Sequence, residues 1–302
     1  MLKILVLGGS GLIGNKILKK FKNQFDIIST HSNNPPSNNI HSIKISLPDD
    51  LLVLKNLIEK EKPDVVINAM AYSNLDFCED HKKDTFLLHV EMTEKISSIC
   101  ENNVSKIIFI STDYVFDGKQ NEKYNEDDEP NPINYYGHTK ALAEKIVLKN
   151  PNNVVLRTSL VYGYGKRVRF MKYVLDSLKN GNEVFAYNDI FNSATNLDEF
   201  VESIEKVIEK NANGIFHTSG STCVTRYDFA KIIARKFGFD ESLIKSISIK
   251  ESKVKAKRPV KPCLNNSKCS KILGYNFSNI ELGVLKVLNE IKNVWLLFWE
   301  LF

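Results

Sequence analysis

Short runs of consecutive apolar residues alternate with longer segments of helical periodicity through the first half of the chain. Runs of this length, bounded by turn-forming residues, are typical of parallel strands that are buried on both faces. The predicted strands are Leu2–Leu7, Asp26–Thr30, Ile43–Ile45, Val65–Ile67, Ile107–Ile110 and Val154–Leu156. The predicted helices between them are Asn15–Phe21, Leu51–Glu61, Glu79–Asn102 and a segment that starts near Asn134 and continues through Val147.

This alternation of strands and helices predicts an α/β fold with a Rossmann-type, doubly wound parallel sheet. We assign residues 1–162 to this domain. After residue 162 the periodicity loosens, and we expect residues 163–302 to form mainly a smaller α/β substrate lobe. Residues 193–222 include a short predicted strand, Gly214–Thr218, and we expect this segment to return to the main sheet.

The composition is that of a globular enzyme and excludes several other classes of protein. Of 302 residues, 43% are hydrophobic and 25% are charged, which is ordinary for a soluble domain. Lys and Arg outnumber Asp and Glu by only five, a balance that suits anionic ligands but falls short of a nucleic-acid partner. The chain has neither a signal-peptide pattern nor an apolar run as long as a membrane span. We therefore expect a cytoplasmic enzyme without a membrane partner.

The five cysteines are an odd number, include no CxxC pair and have no histidine cluster near them. This pattern predicts reduced thiols, with neither a disulfide framework nor a zinc site, and we expect no metal. The apolar C-terminal segment, residues 294–302, is too short to span a bilayer, and the sequence assigns it no role.

A glycine-rich loop follows the first strand directly and leads into a helix. Gly8 permits a tight turn, Gly11 lets the backbone approach a pyrophosphate, and Gly14 lets the helix and the strand pack closely. This context between a strand and a helix predicts that the loop binds a dinucleotide. The cofactor-binding residues expected here are Gly8, Ser10, Gly11, Leu12, Ile13 and Gly14.

The residues at the ends of the later strands indicate which dinucleotide binds. The second strand leads into Thr30 and His31, without the carboxylate that would bind a ribose 2′-hydroxyl in an NAD enzyme. We therefore favour NADPH, and because no arginine follows, NADH stays open. Further cofactor contacts are expected after the third and fourth strands, from Ser46, Leu47, Ala69, Met70 and Ala71.

A tyrosine and a lysine four residues apart, Tyr136 and Lys140, share one face of a predicted helix. A free tyrosine is a weak acid–base catalyst at neutral pH, and a lysine cation together with an oxidised nicotinamide would lower its pKa. Thr112 follows a buried strand at the edge of the sheet where ligands bind, and it can donate a second hydrogen bond to a carbonyl oxygen. These three residues predict a site for carbonyl reduction, in which Tyr136 and Lys140 also contact the cofactor.

Two groups of histidine or basic side chains can be explained without a role in ligand binding. His81 and His89 fall in the predicted helix Glu79–Asn102, where we expect solvated or hydrogen-bonded residues and not ligands. The cluster Lys166, Arg167 and Arg169 meets either a nucleotide-sugar diphosphate or solvent, and the sequence favours neither.

Several segments together carry a resemblance to a known family. The most specific are Ser111–Phe116 and Tyr136-Gly137 with Thr139-Lys140. The others are Gly8–Gly14, Pro63–Ala69, Arg157–Ser159, Asp189 through Ala194-Thr195, and Arg258-Pro259 with Leu264-Asn265 and Lys268. Over about residues 1–290 the chain resembles the dTDP-4-dehydrorhamnose reductase family of extended short-chain dehydrogenase/reductases.

This resemblance implies NADPH-dependent reduction of a nucleotide-linked 4-keto-6-deoxy sugar, with dTDP-4-dehydro-L-rhamnose converted to dTDP-L-rhamnose as the first expectation. It implies that Thr112, Tyr136 and Lys140 are catalytic and that Ala71, Tyr72 and Ser73 lie near the nicotinamide. The substrate-binding residues expected on this basis are Thr112, Asp113, Asn192 and Arg258. A homodimer is left open.

The chain departs from the family's pattern in three places, and the first bears on which sugar binds. Leu160 stands where the family commonly has a tryptophan, two residues before Tyr162, so an aromatic surface near the sugar is lost. Ser46-Leu47 replaces an acid-led pair, and Asn192 and Ala194 replace a glycine and a proline. None of these positions belongs to the catalytic set.

Two other functions stay open. A nucleotide-sugar dehydratase with NAD would use an Asp-Glu pair for acid and base work on adjacent carbons. Here Asp113 is followed by Tyr114, which argues against dehydration and leaves an NAD-dependent epimerase. The second alternative is a non-catalytic NADP-binding regulatory subunit like that of methionine adenosyltransferase. Leu160 and the apolar C-terminal segment leave room for it, and the intact Thr112, Tyr136 and Lys140 argue against it.

Overall fold

The computed structural model describes residues 1–36, 40–165 and 167–299, with the side chains of residues 293–299 left out. The apolar segment 294–302 therefore lies outside the described side chains. The strands are β1 (Lys3–Leu7), β2 (Asp26–His31), β3 (Ser42–Lys44), β4 (Val65–Asn68), β5 (Lys106–Thr112), β6 (Val154–Thr158), β7 (Val161–Tyr162), β8 (Val184–Tyr187), β9 (Phe191–Ser193), β10 (Thr195–Asn196), β11 (Gly214–His217), β12 (Cys223–Thr225) and β13 (Ile244–Ile247). The α-helices are α1 (Leu12–Phe21), α2 (Leu51–Glu61), α3 (Leu75–Asp80), α4 (Lys82–Phe86), α5 (Met92–Asn102), α6 (Tyr135–Val147), α7 (Arg169–Lys179), α8 (Leu197–Glu209), α9 (Arg226–Phe237) and α10 (Ile280–Trp299).

Seven parallel strands form the central sheet in the order β11-β6-β5-β4-β1-β2-β3. The chain therefore reverses direction across the sheet between β1 and β4, where ligands of doubly wound folds bind. Helices α1 and α8 pack together, and α5 packs against α2 and α6; the two sets belong to separate core clusters that share the sheet. The predicted fold class, a Rossmann-type doubly wound sheet, is confirmed.

Four of the described α-helices begin at residues whose side chains satisfy free backbone N–H groups of the first turn. Asn74, Asn134, Asn196 and Thr225 each accept hydrogen bonds from N–H groups of the first turn of α3, α6, α8 and α9, as N-cap residues do. The segment predicted as one helix over Glu79–Asn102 is instead divided into the end of α3, α4, a π-helical turn and α5.

Part of the second half of the chain forms a smaller lobe with a core of its own. Three two-stranded sheets, β10-β7, β12-β9 and β13-β8, lie with α7, α9 and α10 around their own core. That core includes Met171, Val174, Val184, Phe229, Ile233 and Val284. β11, in the segment expected to return to the main sheet, pairs with β6.

Cys223 and Cys263 form a disulfide with a Cα–Cα distance of 5.7 Å, so the prediction of reduced thiols is wrong for this pair. The two residues are 40 positions apart, and no local spacing motif marks them. They meet because the segment that leads to Cys263 runs beside β9, where the N–H of Phe191 donates to the carbonyl of Val260 at 2.8 Å. The other three cysteines are free and buried.

None of the helices in the described part of the chain has the combination of length and apolar character needed to cross a membrane.

Candidate functional site

The glycine-rich loop lies between β1 and α1, and its backbone is held against β2. The N–H of Gly9 donates to the carbonyl of Thr30 at 2.8 Å, and the N–H of Gly8 lies 3.4 Å from the Thr30 hydroxyl. Gly8 has a φ of +83°, a conformation that glycine adopts without strain. A β-carbon on Gly14 would collide with the carbonyl of Gly8. The predicted roles of these two glycines in a tight turn and in close packing therefore correspond to contacts in the structure.

The loop leaves the N-terminus of α1 open to an anionic ligand. Gly11, the N-cap residue, has no side chain to accept the free N–H groups of the first turn, and the first turn contains no acidic residue. Such a helix end attracts phosphate groups through its N–H donors and its dipole. The guanidinium of Arg167 donates to the carbonyl of Ser10, which brings a cation from the second lobe to the same loop. Lys166 lies outside the described residues. These groups fit the pyrophosphate of a dinucleotide.

The other residues predicted to contact the cofactor lie at the ends of neighbouring strands. Thr30 is buried at the end of β2, and Nδ1 of His31 lies 2.8 Å from the Ser42 hydroxyl. The N–H of Ser46 donates to the carboxylate of Asp50 at 2.7 Å, and Leu47 precedes a cis proline. Ala69 and Met70, which follow β4, lie directly against Gly8, and Ala71 and Tyr72 are exposed beyond them.

Thr112 and Tyr136 are placed by the end of β5 and the start of α6. The Thr112 hydroxyl accepts a hydrogen bond from the N–H of Tyr114 at 3.2 Å. The Asn134 side chain accepts one from the N–H of Gly137 at 2.8 Å and so begins the helix that carries Tyr136. A β-carbon on Gly137 would collide with the carbonyl of Tyr114. The glycine therefore lets α6 approach the turn that follows Thr112.

The ionisation of Tyr136 and Lys140 reflects a poorly solvated site. Burial raises the pKa of Tyr136 above its ordinary value, and a hydrogen bond with Thr112 opposes the rise. Burial lowers the pKa of Lys140 to about 7, and the Glu144 carboxylate opposes the fall. The Lys140 ammonium donates to the carbonyl of Ile110 at 2.7 Å and lies 3.8 Å from the centre of the Phe109 ring. In this state Tyr136 is a protonated hydroxyl, the form that a proton donor requires.

Asp113 is buried beside Thr112 and is surrounded by hydrogen-bond donors. Its carboxylate accepts from the hydroxyl of Ser159 at 2.5 Å, from the hydroxyl of Thr112 at 3.1 Å and from the amide of Asn192 at 3.3 Å. Burial nevertheless raises the pKa of Asp113 to about 6, because the hydrogen bonds offset only part of the desolvation. The structure therefore brings together Asn192 and Asp113, two residues of the predicted substrate set.

Arg226 is a residue of this cluster that the sequence reasoning missed. Its Nε donates to the side-chain oxygen of Asn192 at 2.8 Å, and its guanidinium lies over the ring of Phe170 at 5.0 Å. Burial lowers its pKa, while neighbouring Tyr114 and Asp113 oppose the fall. Arg226 is the first residue of α9, and no sequence motif there marks a functional site. Only the contacts of its side chain identify it as part of the cluster. Its remaining N–H groups suit an anionic or hydroxylated ligand.

Arg258 lies near Arg226 and is held by α3, the helix that follows β4. Its guanidinium donates to the carboxylate of Asp76 at 3.0 Å and to the carbonyl of Ala256 at 3.1 Å, and its charge is one of the causes that lower the pKa of Arg226. Leu160 has a φ of +33° and packs against the core of the second lobe.

The two histidines of the predicted helix differ in their surroundings. His81 is exposed and stacks on Phe77 with 4.0 Å between ring centres, as expected for a surface residue. His89 is only 2% exposed and lies in the π-helical turn between α4 and α5, next to α6.

Comparison with known proteins supports one family over nearly the whole chain. The family model described as "RmlD substrate binding domain" matches residues 2–293. The chain is 29% identical over 284 residues to the "Probable low-salt glycan biosynthesis reductase Agl14" of Haloferax volcanii, covering 91% of this chain and 94% of that protein. It is 28% identical over 289 residues to a dTDP-4-dehydrorhamnose reductase of Aggregatibacter actinomycetemcomitans, with the same coverage of 91% and 94%.

A solved structure agrees with this comparison. The crystal structure described as a hypothetical dTDP-4-dehydrorhamnose reductase from Sulfolobus tokodaii superposes with a TM-score of 0.84 at 31% sequence identity. The match covers 94% of this chain and 99% of that one. The similarity therefore includes both the central sheet and the smaller lobe.

Proposed function

The chain belongs to the RmlD substrate binding domain family, and on that premise we propose that it is an NADPH-dependent reductase of a nucleotide-linked 4-keto-6-deoxy sugar. The observation that carries this proposal is the placement of Thr112 and Tyr136. Both lie at the carboxyl edge of the sheet, where β5 ends and α6 begins. The glycine-rich loop and the open N-terminus of α1 are at the same edge.

The glycine-rich loop, the N-terminus of α1 and the residues after β4 would hold NADPH. Bound NADPH supplies the hydride for the sugar carbonyl. The chain's own residues supply the rest of the chemistry. Tyr136 donates its hydroxyl proton to the carbonyl oxygen, and Thr112 donates a hydrogen bond to the same oxygen as negative charge develops on it. Lys140, in its protonated form, stabilises the tyrosinate that remains on Tyr136.

The second lobe would bind the sugar nucleotide. We place Asp113, Asn192, Arg226 and Arg258 among its contacts. Hydrogen bonds join the first three in series from Thr112, and Arg258 lies near Arg226. The expected substrate is dTDP-4-dehydro-L-rhamnose and the expected product dTDP-L-rhamnose. Leu160 supplies a smaller surface than a tryptophan would, so a related 4-keto-6-deoxy sugar is the first substitute to test.

We favour NADPH over NADH for the same site. The chain places Thr30 and His31 at the end of β2, and neither is a carboxylate that would repel a 2′-phosphate. A comparison of the KM values for NADPH and NADH with the same sugar tests this preference. A lower KM for NADH would contradict it.

The function is tested by the decrease in absorbance of NADPH when the protein is mixed with dTDP-4-dehydro-L-rhamnose and related nucleotide 4-keto sugars. Wild-type protein should oxidise NADPH with at least one of them. Tyr136→Phe should keep the fold but lose about 100-fold or more in kcat, the scale of a lost general acid. Turnover that is unchanged in Tyr136→Phe would sink the mechanism.

The same experiment separates the alternatives. An epimerase would convert its sugar without net consumption of NADPH, and product analysis would show this. A regulatory subunit would bind NADPH but reduce none of the sugars. Thr112, Tyr136 and Lys140 together favour an enzyme over the regulatory subunit, because binding alone requires none of their proton chemistry.

A further inference from the structure

The side chain of His89 joins the loop after β4 to the catalytic helix. Its Nε2 accepts a hydrogen bond from the backbone N–H of Tyr72 at 2.9 Å, and its Nδ1 lies 2.9 Å from the hydroxyl of Thr139. Tyr72 belongs to the loop expected near the nicotinamide, and Thr139 lies between Tyr136 and Lys140 on α6. One buried side chain therefore contacts both parts of the site.

The hydrogen-bond partners define where each proton lies. Because the Tyr72 N–H donates to Nε2, that nitrogen carries no proton, and the neutral ring must carry its proton on Nδ1. Nδ1 then donates to the Thr139 hydroxyl, which in turn donates to the carbonyls of Tyr135 and Tyr136, at 3.1 and 3.0 Å. The connection is thus a continuous series of hydrogen bonds from the loop at Tyr72 to the backbone of Tyr136.

The local backbone is shaped to bring His89 into this position. The residue lies in a π-helical turn, Leu87–Glu91, and such wide turns inside helices occur frequently at functional sites. The His89 ring also meets the Tyr136 ring edge-on, with 5.8 Å between the ring centres and an interplanar angle of 78°. A contact of this kind restricts the tilt of the tyrosine ring.

We propose that His89 is a positioning residue, which holds the loop at Tyr72 and the helix at Tyr136 at the separation that hydride and proton transfer require. The inference rests on the proposed function, in which the nicotinamide lies between these two elements. His89 itself transfers no proton, since both of its nitrogens are engaged with protein groups. Its contribution is geometric, and a small misplacement of a reacting group lowers a rate strongly.

The positioning role requires that the imidazole ring of His89 is neutral. Burial, together with the nearby Lys140 charge, lowers the pKa of His89 to about 3. Protonation would place a proton on Nε2, opposite the Tyr72 N–H, and would add a positive charge beside Lys140. The connection therefore persists at every pH at which the protein is expected to work.

The test compares variants that remove the connection with variants that keep it. His89→Leu removes both hydrogen bonds, whereas His89→Asn and His89→Gln keep one donor and one acceptor. Thr139→Val breaks the connection at its other end with almost no change in side-chain volume. This variant replaces His89→Leu in the test if His89→Leu does not fold. His217→Leu is the matched control, because His217 is also fully buried but lies on β11, away from the cofactor loop.

The first readout needs no turnover. Amide hydrogen exchange of the peptide that contains Tyr72 should be about 10-fold faster or more in His89→Leu, because the N–H loses its acceptor. The stabilisation by saturating NADPH, measured as a shift in Tm, should also become smaller. His217→Leu should change neither readout, although it lowers the Tm of the protein without ligand.

The second readout is kinetic. The kcat of His89→Leu should fall by about 10- to 100-fold, the scale expected for a misplaced reacting group, while the KM for the sugar changes by less than about threefold. His89→Asn or His89→Gln should recover at least half of this loss on a logarithmic scale, and Thr139→Val should show an intermediate kcat. The double variant His89→Leu/Thr139→Val should be no slower than His89→Leu alone, because both changes remove one connection.

Two results would overturn the proposal. Unchanged exchange at Tyr72 in His89→Leu would show that the connection does not hold the loop. Faster exchange with a kcat equal to that of wild type would show that the connection does not position the reacting groups. Failure of the proposed function is distinguishable, because wild-type protein would then oxidise no NADPH with any sugar while the exchange and Tm measurements still report on His89.

Discussion

Arg157 and Glu144 form a fully buried ion pair between the central sheet and α6. The Arg157 guanidinium lies 2.7 Å from one carboxylate oxygen of Glu144, and both side chains are 2% exposed. Arg157 is paired with Ser111 in the register of β5 and β6, and the Ser111 hydroxyl also donates to Glu144 at 2.5 Å. Glu144 therefore fixes α6, which carries Tyr136, against the strand that carries Thr112.

We predict that Glu144→Gln lowers the free energy of unfolding by about 3–5 kcal/mol, because it leaves the buried Arg157 charge without its partner. The measurement is urea unfolding followed by circular dichroism. Lys145→Gln, an exposed change on the same helix, should alter stability by less than about 0.5 kcal/mol. A loss for Glu144→Gln no larger than that of Lys145→Gln would contradict the prediction.

Asp113 should make stability depend on pH in the acidic range. Its pKa is raised from 3.8 to about 6, so the folded state binds more protons than the unfolded state between these values. The stability that this group contributes is present below pH 3.8 and is lost as pH rises through about 6. The full difference corresponds to about 3 kcal/mol.

The check is the difference in unfolding free energy between wild type and Asp113→Asn, measured from pH 4.5 to 7.5. Relative to the variant, wild type should become less stable as pH rises, since groups common to both proteins cancel in the difference. The same variant should lower activity, because it changes a predicted substrate contact. A difference that is constant across this pH range would refute the assignment of the raised pKa to Asp113.

The parts of the fold that follow from local pattern were predictable from the sequence. Apolar runs identified the strands of the main sheet, since a strand buried on both faces must be continuously apolar. The loop at Gly8 and the pair Tyr136 and Lys140 were also visible, because each depends on a spacing of a few residues. The predicted helix Leu51–Glu61 agrees with α2 residue for residue.

The residues that were missed depend on contacts between distant parts of the chain. His89 meets Thr139 across 50 positions, and the π-helical turn that places it has no signature in apolar periodicity. Arg226 lies at the start of a helix, where a cation is ordinarily solvated. Only its hydrogen bond to Asn192 shows that its side chain joins the buried cluster. The pairing of Cys223 with Cys263 likewise follows from tertiary structure and not from spacing.

The Cys223–Cys263 disulfide should stabilise the second lobe. A bond that closes a loop of this length reduces the entropy of the unfolded chain and is worth about 4 kcal/mol in the chain-entropy model. We predict that Cys263→Ser, or reduction, lowers the free energy of unfolding by an amount of this order. The measurement is denaturant unfolding with and without a thiol reductant.

Thiol counting provides the control for this prediction. Unfolded, unreduced protein should show three reactive thiols, from Cys78, Cys100 and Cys269, and Cys263→Ser should show four. Addition of the reductant should not lower the stability of Cys263→Ser further. Five thiols in the unreduced wild type would exclude the bond.

Arg226 should determine the affinity for the sugar nucleotide and not for the cofactor. Its guanidinium is fixed by Asn192 and by the ring of Phe170, next to Asp113 and on the side of the site that the second lobe supplies. Because a hydrogen bond to a charged group is worth about 1.5–3 kcal/mol, Arg226→Gln should raise the KM for the sugar by about 10- to 100-fold. The KM for NADPH should change by less than about threefold. Initial rates with each substrate varied in turn provide the measurement.

The matched control for this prediction lies on the same helix. Arg235 is exposed and pairs with Glu281 at 2.8 Å, so Arg235→Gln removes a guanidinium from α9 without touching the cluster at Asn192. It should leave both KM values unchanged. If Arg226→Gln raises the two KM values equally, the residue supports the site as a whole and does not contact the sugar nucleotide. If it changes neither, Arg226 lies outside the binding surface, and the contacts of the sugar must come from Asp113 and its other neighbours.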